Sequence, residues 1–131
     1  MDLIVKPLIP CGAALILAAA AGFSNGNSPD ARLTAAPRHS IADVMKQAMK
    51  DGLLKKVAAG DASNDEQKKL VELLKALGEN APPRGTQESW SSKTAALVSA
   101  AEEVLQGREG AGEKLTKAAD CRECHRTHKG L

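Results

Sequence analysis

Cys121-Arg122-Glu123-Cys124-His125, close to the end of a 131-residue chain, is the one stretch whose residue types and spacing specify a chemistry. Thiols three positions apart lie on one face of a helix or tight turn, so both can reach the two vinyl groups of a single porphyrin and add to them as thioethers. The imidazole that follows the second thiol is then carried under the ring, where it can bind the iron. C-x-x-C-H is the attachment signature of a c-type haem. It assigns Cys121 and Cys124 to the covalent links and His125 to the proximal iron ligand. Two other chemistries use the same residue types. A thioredoxin-like thiol pair belongs in a βαβ context, and this chain has no strand-like alternation. A zinc site of Cys121, Cys124, His125 and His128 would crowd four ligands into eight residues, tighter than the usual two-part spacings.

The remainder of the chain has to position that motif and line a pocket beside it. Its 18 basic and 16 acidic residues leave a net charge of +2. That balance, with no basic run and no interleaved aromatics, argues against a nucleic-acid partner. Ala, Leu, Lys and Glu dominate while Val and Ile are scattered, a composition that favours helix throughout. Aromatics are scarce: no Tyr, one Phe (Phe23) and one Trp (Trp90). Aromatic rings ordinarily supply much of a core's volume. A buried porphyrin would supply the missing bulk; a tightly packed Ala/Leu bundle would dispense with it. Cys11 stands apart from the motif, so no cysteine pair is left for a structural disulfide.

Residues 1–21 have the pattern of an export signal peptide: Lys6 in a short leader, an apolar run from Leu8 to Ala21, and the small residues Ala19-Ala20-Ala21 at its end. An uncleaved anchor is the alternative, although the run is short for a membrane span and Pro7 and Pro10 disfavour a long straight helix. Export to a periplasm agrees with the motif, because thioether attachment of this kind is completed outside the bacterial cytoplasm. Residues 22–39, rich in Gly, Asn, Ser, Pro and Ala, read as a flexible linker ending at His39.

The domain occupies 40–131. Ser40 with Asp43 caps a first helix whose inner face holds Ile41, Val44, Met45 and Ala48, with Met49 one turn beyond Met45. Gly52 bends that helix and Gly60 ends it. Ser63-Asn64-Asp65-Glu66 opens a second helix with a leucine stripe at 70, 73, 74 and 77, which Gly78 is expected to stop. Pro82-Pro83-Arg84-Gly85 breaks the chain. A third helix then runs from Thr86 to Gly107, with Trp90, Leu97, Val98, Ala101, Val104 and Leu105 facing inward. A fourth is expected to run from Ala111 through Leu115 and Ala119 straight into the motif. Four amphipathic helices with short links predict an all-α antiparallel four-helix bundle.

Four helices with C-x-x-C-H on the last one resemble the class II c-type cytochromes, the cytochrome c′ and cytochrome c-556 group. The resemblance spans residues 40–129 and is strongest over Cys121 to Lys129. The family commonly has an aromatic residue three places after the ligand histidine and a base after that; this chain has His128 and Lys129 there. Trp90 near the start of the third helix and Val57-Ala58-Ala59-Gly60 at the end of the first are also similar to family features. The loop between helices two and three is shorter than in many relatives, and the aromatics are fewer.

The resemblance implies a haem c with its iron held by His125, and a function decided by what faces the iron from the other side. In c-556-like members a first-helix methionine binds there and the protein transfers electrons. In c′-like members the position is apolar and the five-coordinate iron binds small gases such as nitric oxide. Met45 falls within about one residue of the family's ligand position counted back from Gly60, with Met49 as its neighbour; both could equally be core residues. Arg122, Arg126, His128 and Lys129 form a basic cluster that would pair with the haem propionates, dock an acidic redox partner, or complement a helix dipole. Trp90 would pack in the core or against the haem, its indole N–H reaching a propionate. The sequence thus leads to an exported, non-enzymatic monohaem cytochrome in electron transport, with protein redox partners and a possible homodimer. A five-coordinate gas-binding haem protein and a haem-free zinc or thiol-redox module are the alternatives.

Overall fold

The computed structural model describes residues 36–131, all-helical with no strand among them. The expected signal peptide, Cys11, Phe23 and most of the expected linker lie outside the described residues. The elements are α1 (Ile41–Val44), a π-helical segment (Met45–Lys50), α2 (Leu53–Ala58), α3 (Asn64–Glu79), α4 (Gln87–Leu105), α5 (Ala111–Ala118) and α6 (Cys121–His128).

Side-chain caps set where these helices begin. The Ser40 hydroxyl accepts from the Asp43 amide at 3.1 Å, and the Asp43 carboxylate accepts from the Ser40 amide at 3.1 Å. Ser63 and Glu66 repeat this exchange at the start of α3, and Lys56 of α2 donates to the same Glu66 carboxylate at 2.6 Å. Thr86 caps α4 by accepting from the Ser89 amide. Each such cap satisfies an amide that has no partner inside the helix and contributes about 1 kcal/mol.

The expected first helix is irregular rather than merely bent. After one α-turn it widens, and the Asp51 amide donates to the carbonyl five residues back, Lys46, at 2.8 Å. Gly52, at φ +82°, adopts a left-handed conformation that disfavours a side chain, and the chain re-enters helix at Leu53. The expected fourth helix is likewise interrupted. Ala119 leaves helical geometry, and Asp120 turns extended and accepts from the Glu123 amide at 2.9 Å, so the motif occupies a separate helix, α6.

Gly78 does not stop the second helix, which continues to Glu79. A Cβ at Gly78 would lie 3.2 Å from the Thr94 hydroxyl of α4, so this glycine permits close helix packing. Along that contact Leu70, Leu73, Leu74 and Leu77 of α3 and Trp90, Leu97 and Ala101 of α4 are buried in one cluster. Val44, Ala48, Val57 and Leu115 join it from the other elements. Removing a leucine side chain of this size from water stabilises the fold by about 1.5–3 kcal/mol. Among the described residues no helix is long and apolar enough to cross a membrane.

Where α5 crosses α2 the backbones touch: a Cβ at Gly112 would clash with the Ala58 carbonyl oxygen. Gly112→Ala is therefore expected to lower unfolding stability by about 1–3 kcal/mol, read from the shift in urea midpoint. Glu66 supplies an acid-sensitive tie. The hydrogen bond from Lys56, then that from the Ser63 amide, hold its carboxyl below the ordinary 4.5. Its contribution is present above pH 4.5 and is lost as pH falls from there through the lowered folded-state value. Glu66→Gln is expected to flatten the acid limb of a stability–pH curve while sparing the alkaline limb.

Candidate functional site

The break at Asp120 places the first turn of α6 beside the π-helical segment. One pocket is lined by Cys121, Cys124 and His125 of α6 together with Met45 and Met49 of the π-helical segment. Residues four apart share a helix face, so both methionines reach it. Leu77 of α3 and Leu97 of α4, part of the core seam, line its apolar floor together with Ala118 and Ala119. The space within these walls, including the part open to solvent, is about 650 Å³.

Both motif thiols are free, Cys121 exposed and Cys124 half-buried. Burial pushes the Cys124 thiol above its ordinary range, against the pull of the nearby Lys93 ammonium; Cys121 and Glu123 push it further up. Lys93, from α4, is the lysine in the pocket wall, its ammonium 3.7 Å from Glu123 Oε1. The other Glu123 oxygen accepts from Arg126.

The structure therefore brings together Met45, Met49, Cys121, Cys124 and His125, residues up to 80 positions apart in the sequence. Trp90 and Lys129 lie elsewhere. Trp90 is buried in the core, its ring edge-on to His128 with centroids 5.3 Å apart, and among the described residues its indole Nε1 has no hydrogen-bond partner. Lys129 is exposed just past the end of α6. His39 sits in a separate groove with Glu72 and Glu79.

The basic cluster of the sequence is dispersed. Arg122 occupies the first turn of α6, the wrong end for a cation to complement the helix dipole, Arg126 is paired with Glu123, and His128 is buried. His128 is also withdrawn from any four-ligand zinc site, because its two ring nitrogens face the Arg84 carbonyl at 2.8 Å and the Ser89 hydroxyl at 3.2 Å. Among the described residues no group of three or more His, Cys, Asp or Glu side chains is arranged to hold a metal ion.

Sequence reasoning overlooked Lys93, Thr94 and Asp120 in the pocket wall. Asp120 carried a local signal, an N-cap residue three places before Glu123. Lys93 and Thr94 carried none, since only the packing of α4 brings them to the motif. Comparisons with protein-family models, with curated proteins and with solved structures find no match to this chain.

Asp120→Ala removes the cap that starts α6. It is expected to cost about 1 kcal/mol, and hydrogen exchange should accelerate at the first amides of α6 more than in α3 or α4.

Proposed function

We propose that this chain is an exported c-type cytochrome with one haem, which passes single electrons between protein partners. The observation that carries the reading is the pocket that is lined by the C-x-x-C-H residues and by two thioether side chains together. The donor set fits a haem c. Cys121 and Cys124 are the free thiols that would bind it covalently, and His125 with Met45 or Met49 the imidazole and thioether that would ligate its iron. A bound haem c supplies a one-electron change at iron.

The chain's own residues set the terms of that change. A thioether opposite an imidazole favours the reduced metal and raises the potential. Leu77 and Leu97 keep water from the pocket floor, and exposed Cys121 and His125 leave one edge of the site near the surface for a partner to approach. Met45 is the preferred ligand because it lines this pocket and falls nearest the ligand position that the class II resemblance implies, whereas Met49 also borders an adjoining depression with Leu54, Ala58 and Ala119. The larger architecture belongs to the same proposal: α1 to α2, α3, α4, and α5 to α6 form the four rods of an antiparallel bundle of the class II cytochrome type. Export follows from the leader expected over residues 1–21.

The test is made on protein recovered from an export-competent bacterial host. Covalent attachment gives a mass higher than the mature polypeptide by one haem, and a colour that survives denaturation. With methionine bound, the ferrous protein is low-spin and resists carbon monoxide, while Met45→Ala is expected to become high-spin and take up the gas at once. A low-spin spectrum that persists in Met45→Ala overturns the Met45 assignment. Immediate gas binding by the unaltered protein would favour the five-coordinate, gas-binding alternative, and a colourless product would remove the haem altogether.

A further inference from the structure

We infer that His128 is the positioning residue for His125: a buried latch that fixes the roll of α6 and so the direction of the imidazole one turn earlier. The inference rests on the proposal that His125 binds the iron.

α6 is held to the rest of the fold in an unusual way. Of its eight residues, Cys121 to His128, only His128 is buried, at 2 % exposure. The helix has little close backbone approach to any other described element. Its orientation therefore depends on how that one ring is seated, with the Lys93–Glu123 ion pair and the half-buried Cys124 as its other ties to the fold.

The seat is polar on two sides and closed on the others. The Arg84 carbonyl, 2.8 Å from Nδ1, can only accept, so Nδ1 carries the proton. In the neutral ring Nε2 is then the acceptor, and the Ser89 hydroxyl at 3.2 Å donates to it. Trp90 closes one side edge-on. Gly85 closes another so tightly that a Cβ there would lie 2.7 Å from Nδ1. Loop and helix C-terminus interlock further, because a Cβ at Gly130 would meet the Pro83 side chain at 3.3 Å. Two directional bonds on one planar ring determine its rotation as well as its depth, which an apolar plug would not.

Residues three apart share a helix face to within a fraction of a turn. Any roll of α6 about His128 is therefore passed directly to His125 and Cys124.

The experiment uses the exported, haem-loaded full chain. Ferric paramagnetic NMR and the reduction potential are compared for wild type, His128→Phe and His128→Asn. His128→Phe keeps an aromatic plug but loses both bonds. It is expected to keep its colour while the single set of shifted haem-methyl resonances splits or broadens and the potential moves. His128→Asn, whose amide can donate to Arg84 from the place of Nδ1, is expected to restore most of the single set. If His128→Phe does not accumulate, Ser89→Ala, which removes one bond only, should show the same change in smaller degree. Resonances and potential identical to wild type in the variant that accumulates, even at a lower melting temperature, overturn the inference and leave the haem reading standing. A colourless wild type overturns the haem reading and this inference with it.

Discussion

Leu70, Leu73, Leu74 and Leu77 on α3, closed against α4 with Gly78 beside Thr94, form the contact that the other elements depend on. A chain with a single buried tryptophan gains its stability from many aliphatic contacts of modest size. Those contacts need helices close together, which is why a glycine sits within α3 rather than beyond its end. The seam also has a functional end: Leu77 and Leu97 belong to the core and line the pocket at once. The same packing that holds α3 to α4 thus sets the pocket floor, so a substitution there would alter stability and site together.

The two long regular helices contribute floor and wall, while the side chains with chemistry come from the irregular ones. Met45 and Met49 lie on the π-helical segment, and Cys121, Cys124 and His125 on a helix that starts afresh after a break. Irregular helix of this kind is frequent where function resides. The physical reason here is geometric. An uninterrupted fourth helix would carry the motif onward along the axis of α5, whereas the extended Asp120 redirects it. The cost is that α6 has few packing contacts of its own, which is what gives the His128 contacts their weight.

What the sequence disclosed followed the range of the forces involved. Both capping boxes, the break at Pro82–Gly85 and the leucine stripe depend on residues within one or two turns, and they were legible. The motif was legible for the same reason. Gly78 was misread as a helix stop because nothing local distinguishes a glycine that ends a helix from one that admits a neighbour. The π-turn was invisible because a widened turn confined to six residues displaces the apolar pattern too little to be told from a regular helix. Arg122 and His128 were grouped by sequence proximity, yet the break before Cys121 assigns one to an exposed first turn and the other to the core.

On the proposed reading, the pocket also explains why attachment would be covalent. It is partly open, and the α6 side of it has few tertiary contacts, so apolar contact alone would hold a flat ligand with limited area. Two thioethers make retention independent of that area and of ligand concentration. The fold would then be left with the smaller task of orienting the ring, for which His125, Met45 and Met49 line the same pocket.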